Sequence, residues 1–170
     1  MTGFQNRPRH FPVSWQEMHR DARALAWRLL EKGPWKGVIA VARGGLFPAG
    51  IVARELNLPV VETVCIYGYD DVKQVQHDPR MEKPVGSFAT EGQGEGWIVV
   101  DDLVDSGKTF EQLRKTMPKA HYAALYAKPE GSRQADSWVT EVSQDTWIFF
   151  PWEVDTTFAT PIAIQPGDRR

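Results

Sequence analysis

The chain has few of the features that mark exported or membrane-bound proteins. Its 170 residues include one cysteine, Cys65, which cannot form an internal disulfide, so we expect a reducing, cytoplasmic compartment. No apolar run approaches the roughly 20 residues of a membrane-spanning helix. No N-terminal segment has the charged, apolar and small-residue order of a signal peptide. These absences favour an intracellular protein.

The chain also lacks an excess of basic residues. Its formal net charge is −2, which argues against a general nucleic-acid binder but still permits a local basic pocket for small phosphates. Hydrophobic residues make up 42% and charged residues 25%, as is usual for a soluble globular protein. The length suits one domain. We therefore predict a single domain over residues 1–170.

Short apolar runs alternate with segments of helical character. The runs are too short for helices and are typical of strands buried on both faces of a sheet; they cover residues 37–41, 60–66, 97–100 and 122–127. The predicted helices begin after a capping box at Ser14 and Glu17, near Pro48, and near Lys108. This alternation predicts an α/β fold with a mainly parallel central sheet flanked by helices.

Three segments fall outside that alternation. Residues 1–13 are predicted to form a loose N-terminal arm. Residues 67–96 have no clear periodicity, which is typical of a mobile active-site loop or a disordered segment, although a weak hairpin within them is compatible with the sequence. Residues 129–155 are irregular and rich in tryptophan, and we expect a small C-terminal hood on the sheet edge.

The strongest chemical signal lies in residues 99–109. Asp101 and Asp102 stand where a strand leaves the sheet, a place where open α/β sheets bind ligands, and adjacent acids bind hydroxyls or a hydrated divalent cation. The small polar residues that follow open a helix, where backbone N–H groups suit a phosphate, and Gly107 permits backbone geometry that a side chain would block. This order fits a sugar phosphate. The alternative is an ordinary capped helix after a solvated acidic turn, with Asp105 as the N-cap residue.

The same segment carries a family resemblance. Its residues Val99-Val100-Asp101-Asp102-Leu103-Val104-Asp105-Ser106-Gly107-Lys108-Thr109 resemble the phosphoribosyl diphosphate signature of the type I phosphoribosyltransferases. Five more segments are similar to purine-specific members of that family, namely residues 35–46, 52–56, 62–66, 127–129 and 144–148. Together the similarities extend over roughly residues 14–153. The resemblance implies the type I phosphoribosyltransferase fold. It also implies a purine salvage reaction, in which guanine, xanthine or hypoxanthine reacts with 5-phosphoribosyl 1-diphosphate to give a nucleoside monophosphate and pyrophosphate.

The resemblance also implies a role for each residue of the sugar site. Asp101 and Asp102 would face the ribose hydroxyls, with Asp102 close to Mg²⁺, and Asp105 would lie near the purine N7 as general base. The 5′-phosphate would be held by the last four residues of the signature, 106–109. The phosphoribosyl diphosphate site as a whole would comprise Arg43, Gly44, Asp101, Asp102, Leu103, Val104, Asp105, Ser106, Gly107, Lys108 and Thr109. Arg43 and Gly44 would bind pyrophosphate in a loop that in this family often contains a non-proline cis peptide.

Lys128, Trp147 and Ile148 would join Asp105 in the purine site. In the family pattern the lysine donates to the purine O6, the indole stacks on the base and the Ile148 backbone contacts the base edge. Judged by residue type alone, Lys128 could be a solvated strand end, Trp147 a core residue and Arg43 a member of a surface ion pair. A lysine donor favours 6-oxo purines over adenine, whose 6-amino group is itself a donor.

The sequence departs from the family pattern in three places. Gly68-Tyr69 replaces a Ser-Tyr pair in a longer loop, where Lys73 or Arg80 is a candidate to reach the pyrophosphate. Phe149-Phe150 stands where polar residues including a carboxylate are expected, which leaves open the choice among guanine, xanthine and hypoxanthine. Glu153 replaces an aspartate, and the sequence does not decide whether this position makes a second metal contact.

The resemblance extends to assembly and location. Relatives are homotetramers, and some associate weakly and peripherally with the inner membrane. Two alternative functions would share the same signature: a phosphoribosyltransferase for another base such as orotate or uracil, and a regulator that senses phosphoribosyl diphosphate without catalysis. Lys128 with Trp147 argues against the first, and the presence of both Asp105 and Arg43 argues against the second.

Overall fold

A six-stranded sheet forms the centre of the computed structural model, which describes residues 9–70 and 75–153. The strands of the described residues are β1 (Arg9–Pro12), β2 (Gly37–Ala42), β3 (Val61–Asp70), β4 (Val75–Lys83), β5 (Trp97–Val104), β6 (His121–Ala127), β7 (Ser137–Glu141) and β8 (Thr146–Phe149). Of these, β1 and β8 form a separate pair. The helices are α1 (Trp15–Leu30), α2 (Leu46–Glu55), the single turn α3 (Ser87–Thr90) and α4 (Lys108–Arg114), with 3₁₀ turns at Glu91–Gly94 and Ser132–Gln134.

The main sheet has the order β4-β3-β2-β5-β6-β7. Every neighbouring pair in it is parallel except β3 with β4. The predicted fold class, a mainly parallel α/β sheet flanked by helices, is confirmed.

Hydrophobic packing covers both faces of this sheet. Successive residues of β2 alternate between two clusters: Val38 and Ala40 pack with α1 and α2, whereas Ile39 and Val41 pack on the side of α4. Side chains of a strand point alternately to its two faces, so a continuous apolar run can feed two cores. The apolar runs in the sequence therefore predicted these strands correctly.

The helices match their predicted starts with small differences in extent. Ser14 caps α1 through the expected capping box, in which Glu17 N–H donates to Ser14 Oγ at 3.2 Å and Ser14 N–H donates to Glu17 Oε2 at 2.8 Å. Helix α2 begins at Leu46, two residues before Pro48, because a proline in the first turn removes only an N–H that has no partner within the helix. Helix α1 ends at Leu30 and α4 at Arg114.

The three segments predicted as irregular contain regular structure. Residues 9–12 of the predicted arm form β1, which pairs in parallel with β8, and β7 of the predicted hood joins the main sheet beside β6. Within residues 67–96, β4 pairs antiparallel with β3, so the weak hairpin is the better description of that part. Strand β4 is a polar edge strand that contains Pro79, and edges tolerate proline, which explains why its sequence lacks a strand pattern. Whether residues 67–96 move stays a prediction, and Lys73 lies outside the described residues.

The strand expected over residues 97–100 extends further, so the acidic pair lies within a strand and not after its end. Strand β5 continues to Val104, and Asp101 pairs with Ala124 of β6, whereas pairing with β2 stops at Val100. Both carboxylates therefore project from an extended strand that is bonded along one side only. In the described part of the chain, no helix combines the length and apolar character needed to cross a membrane.

A buried hydrogen bond joins α1 to the sheet. The Tyr126 hydroxyl donates to Asp21 Oδ2 at 2.6 Å, and Asp21 is 5% exposed. Asp21 also accepts from Arg20 Nε at 2.8 Å.

Tyr126→Phe is expected to lower the free energy of unfolding by about 1–3 kcal/mol, because the buried Asp21 carboxylate loses a donor. Urea denaturation followed by circular dichroism measures this. The same change at the exposed Tyr67 serves as control and should stay within about 0.5 kcal/mol of the parent. Equal stability of the Tyr126→Phe protein and the parent would contradict the assignment.

Candidate active site at the carboxyl end of the sheet

A cleft opens where β2 and β5 end and α4 begins. In the strand order, β3 and β4 lie to one side of β2, whereas β5, β6 and β7 lie to the other. Open α/β sheets bind ligands at this kind of switch in strand order. The cleft walls are Val41, Ala42, Ile66, Pro79, Asp101, Leu103, Val104, Asp105, Ser106, Gly107, Lys108, Thr109 and Phe110. Most of the predicted signature therefore lines one cleft.

Asp101 and Asp102 form a closely spaced acidic pair beside this cleft. Asp101 Oδ1 accepts the Asp102 N–H at 2.9 Å, and Asp102 Oδ1 accepts the Leu103 N–H at 2.7 Å. Burial and then the neighbouring Asp102 charge raise the pKa of Asp101 well above its usual range, and burial also raises the pKa of Asp102. A cation or a hydroxyl donor that reaches these carboxylates would stabilise their ionised form.

The loop after β2 packs against the acidic pair without side chains in between. A Cβ placed on Gly44 would lie 2.1 Å from Asp102 Oδ2, and one on Gly45 would lie 2.4 Å from the Val100 carbonyl oxygen. The Ala42–Arg43 peptide is cis, as the resemblance implies, and Arg43 is exposed. The predicted Arg43-Gly44 segment thus lies directly beside Asp102.

The start of α4 supplies the opposite wall of the cleft. Its N-cap residue is Gly107, which has φ of 81° and makes no side-chain capping hydrogen bond. A left-handed conformation of this kind favours glycine. The first N–H groups of a helix have no partner within the helix, so the wall formed by residues 106–109 suits an anion.

Asp105 is not a helix cap but the centre of a hydrogen-bonded group. Lys128 Nζ donates to Asp105 Oδ2 at 3.0 Å, and Gln144 Nε2 donates to Asp105 Oδ1 at 2.9 Å. Lys128 is only 6% exposed. The alternatives of an N-cap aspartate and a solvated lysine are therefore both wrong. Because Lys128 contacts Asp105, which lines the cleft, the lysine lies next to the cleft.

Trp147 and Ile148 lie on β8, opposite His10 and Phe11 of β1. Trp147 is 37% exposed and Ile148 5%, so a fully buried core position for the indole is excluded. Among the described residues neither belongs to the cleft walls named above, but Gln144, three residues before Trp147, contacts Asp105. Gln144 lies in one of the segments that resemble the family, but the sequence predicted no role for it. Nothing in a sequence marks an amide that reaches a carboxylate 39 residues away.

The residues that depart from the family pattern occupy defined positions. Phe150 is 3% exposed and stacks on Trp152 at 4.8 Å between ring centres, so its apolar character serves packing. Glu153 Oε2 accepts the Phe150 N–H at 3.2 Å. Arg80 forms an exposed ion pair with Glu82 at 2.9 Å.

The donor set of the cleft limits the kind of metal it could hold. Among the side chains that the structure describes, no group of three or more histidine, cysteine or acidic residues is arranged as a metal site. The acidic pair offers carboxylates alone. Mg²⁺ is commonly held by one or two carboxylates together with substrate phosphates and water, so these residues fit Mg²⁺ bound with a phosphorylated ligand.

Comparisons with known proteins agree with this geometry. Residues 13–158 match the Phosphoribosyl transferase domain family. The chain is 51% identical over 156 residues to a xanthine-guanine phosphoribosyltransferase of Nitratidesulfovibrio vulgaris strain DP4, covering 92% of each chain. It is 49% identical over 154 residues to the enzyme of that name from Desulfotalea psychrophila, covering 91% of this chain and 92% of the relative.

Solved structures show the same fold. A purine phosphoribosyltransferase of Pyrococcus horikoshii superposes with a TM-score of 0.69 at 28% identity, covering 89% of this chain and 99% of that one. A Helicobacter pylori xanthine-guanine-hypoxanthine phosphoribosyltransferase gives 0.66 at 22% identity, covering 85% and 94%.

Asp101→Asn is expected to raise the free energy of unfolding at pH 7 in metal-free buffer, because a neutral amide takes the place of a buried carboxyl whose pKa is raised, and the amide oxygen can still accept the Asp102 N–H. A carboxyl with a raised folded-state pKa stabilises the fold at low pH and loses that contribution as pH rises through the folded pKa. The gain should therefore shrink as the pH is lowered towards the ordinary aspartate range.

Urea denaturation across this pH series measures the effect. Asp145→Asn is the matched control, because a hydrogen bond from Ser143 lowers the pKa of that exposed carboxyl, so its substitution should be neutral or slightly destabilising at pH 7. A loss of stability in Asp101→Asn at pH 7 would contradict the prediction.

Proposed function

The chain belongs to the phosphoribosyl transferase domain family, and from this premise we propose that it is a purine salvage enzyme. It transfers the phosphoribosyl group of 5-phosphoribosyl 1-diphosphate to guanine, to xanthine and also to hypoxanthine, and releases pyrophosphate. Relatives about half identical over nine-tenths of the chain carry the name xanthine-guanine phosphoribosyltransferase, which supports guanine and xanthine as the bases.

One observation carries the proposal. The acidic pair, the Gly44 loop and the start of α4 meet at a single cleft, next to the paired Asp105 and Lys128. Hydroxyl-binding, pyrophosphate-binding and phosphate-binding groups are thus arranged around one space, and a candidate proton acceptor lies at its margin. A phosphorylated sugar diphosphate has functional groups in the same arrangement.

The sugar-binding roles follow the chemistry of each wall. Asp101 and Asp102 accept hydrogen bonds from the ribose hydroxyls, and the backbone of Leu103 and Val104 continues that wall. The 5′-phosphate lies at the start of α4, held by Ser106, Gly107, Lys108 and Thr109, where helix N–H groups favour an anion. Arg43 and Gly44 bind the pyrophosphate from the loop after β2, and the guanidinium stabilises its growing negative charge.

Asp105 is the proposed general base. Its carboxylate lies near N7 of the purine and accepts a proton as the attacking ring nitrogen loses electron density. Lys128 donates to the purine O6: an ammonium has three donors, and its contact with Asp105 Oδ2 uses one. Trp147 stacks on the base with its partly exposed indole, and the Ile148 backbone contacts the base edge.

Mg²⁺ is the proposed cofactor, with Asp102 as its closest protein group. When bound, it neutralises charge on the leaving pyrophosphate. The raised pKa of both aspartates is consistent with a site completed by a cation. Asp102 would hold the ion, and Gly44 lets the loop after β2 lie directly against the Asp102 carboxylate, because a Cβ there would clash with Oδ2.

Assembly and location are proposed on the family resemblance. We expect a homotetramer in the cytoplasm, with weak peripheral association with the inner membrane as in some relatives. Gel filtration with light scattering tests the first, and flotation with anionic vesicles tests the second.

A base panel tests the function. With phosphoribosyl diphosphate and Mg²⁺, guanine and xanthine are expected to turn over, hypoxanthine also, and adenine at least 100-fold more slowly in kcat/KM, because Lys128 offers a donor where adenine also carries donors. Product formation is followed by absorbance and chromatography, and removal of Mg²⁺ with a chelator should abolish turnover. Turnover of orotate or uracil alone would refute the purine assignment, and binding without turnover of any base would indicate a regulator.

Asp105→Asn is expected to lower kcat by about 10²- to 10⁴-fold, because the proton acceptor is lost. Phosphoribosyl diphosphate binding, measured by titration calorimetry with Mg²⁺, should be largely retained. Glu31→Gln is the matched control, since it makes the same chemical change at the C-terminal end of α1. Unchanged turnover in Asp105→Asn would remove this residue from the mechanism.

A further inference from the structure

We propose that Gln144 is a positioning residue that holds the Asp105 carboxylate in the orientation needed to accept the purine proton. This inference rests on the proposed role of Asp105 as general base. It assigns a function to a side chain that neither the sequence signature nor the family pattern singles out.

The Gln144 amide bridges two fixed partners. Its Nε2 donates to Asp105 Oδ1 at 2.9 Å, and its Oε1 accepts the Glu130 N–H at 3.1 Å. An ionised carboxylate only accepts and a backbone N–H only donates, so these two partners define which end of the amide faces Asp105. The reversed amide would place oxygen against the carboxylate and an NH₂ group against an N–H. Glutamine therefore satisfies both partners at once, and glutamate or an aliphatic residue would not.

Two donors on two different oxygens fix the rotation of the Asp105 carboxylate. Lys128 holds Oδ2 and Gln144 holds Oδ1. The terminal torsion of an aspartate is otherwise broad, so with Lys128 as the single partner the carboxylate could turn about that contact. Lys128 also has a second proposed task at the purine O6. Gln144 is uncharged and is anchored at its other end, which makes it the more constant of the two partners.

The backbone on both sides of this bridge is tightly held. A Cβ on Gly131 would lie 2.4 Å from the Asp105 carbonyl oxygen, and Lys128 N–H donates to the Val104 carbonyl at 2.9 Å. On the other side, Gln144 belongs to a turn closed by the Thr146 N–H, which donates to the Ser143 carbonyl at 3.0 Å. That turn leads directly into β8. The amide thus links Asp105 to the strand that carries Trp147, so proton acceptor and base-stacking surface keep a constant spacing.

A purely structural role is the competing interpretation, since the same bridge joins three segments of the chain. The two roles differ in what they change. Loss of a structural tie lowers the melting temperature and weakens substrate binding, whereas loss of positioning lowers kcat with little change in KM. A structural contribution of Gln144 would also persist in a variant in which residue 105 cannot accept a proton.

The first experiment replaces the amide with apolar side chains of similar length. Gln144→Leu and Gln144→Met are expected to lower kcat by about 10- to 100-fold, because displacement of a catalytic group by about 1 Å can cost that much. KM for guanine and for phosphoribosyl diphosphate should change less than about threefold. Gln16→Leu, the same change at an exposed position in the first turn of α1, is the control and should match the parent. Thermal unfolding and calorimetric binding of phosphoribosyl diphosphate verify that each variant is folded.

A double-mutant cycle with Asp105→Asn completes the test. If Gln144 acts through Asp105, Gln144→Leu should not lower the residual kcat of Asp105→Asn further, since residues that act as a unit are not additive. A multiplicative loss would overturn the inference, and so would a normal kcat in both Gln144 variants or an effect confined to KM for the base. Unchanged turnover in Asp105→Asn alone would instead overturn the proposed base, so the two failures are distinguishable.

Discussion

The parallel pairing of β2 with β5 is the constraint on which the candidate site depends. It places the ends of both strands at one edge of the sheet, and the pairing stops at Val100 while β5 continues along β6. The four residues beyond that point are extended but have no β2 neighbour. The loop after β2 turns into this space, and glycines at 44 and 45 let it approach the strand closely. The proposed anion-binding and cation-binding groups thereby meet without any long connecting loop.

The site holds groups that the fold alone would not favour. Asp101 and Asp102 are partly buried next to one another, and burial raises the pKa of each. Such an arrangement destabilises the empty protein and is relieved when a ligand with suitable charge arrives. Asp105 differs, because both of its oxygens already accept hydrogen bonds from the protein. Asp101 and Asp102 are thus the carboxylates that a cation or hydroxyl donor would stabilise, whereas the orientation of Asp105 is already set by donors of the protein.

The sequence predicted the parts of the structure that depend on local pattern. Apolar runs identified the central strands, the Ser14 capping box located α1, and residues 99–109 were correctly expected to run from a strand into the start of a helix. Contacts between distant segments were missed. Strand β4 is a polar edge strand, β1 finds its partner at the far end of the chain, and Gln144 reaches Asp105 through space; none of these leaves a periodic signal. The exposed indole of Trp147 and the buried ammonium of Lys128 reverse what their residue types suggest, because tertiary context determines burial.

The pairing of β1 with β8 has a consequence for how the enzyme is made. Residues 9–12 leave the ribosome before the central sheet does, whereas their partners at 146–149 follow only after that sheet has been synthesised. The sheet and its helices can begin to pack during translation, but β1 and β8, the strand that carries Trp147, can pair only after the strands of that sheet have been synthesised. A nascent or prematurely terminated chain would therefore present the proposed sugar-binding wall before the surface proposed to hold the base.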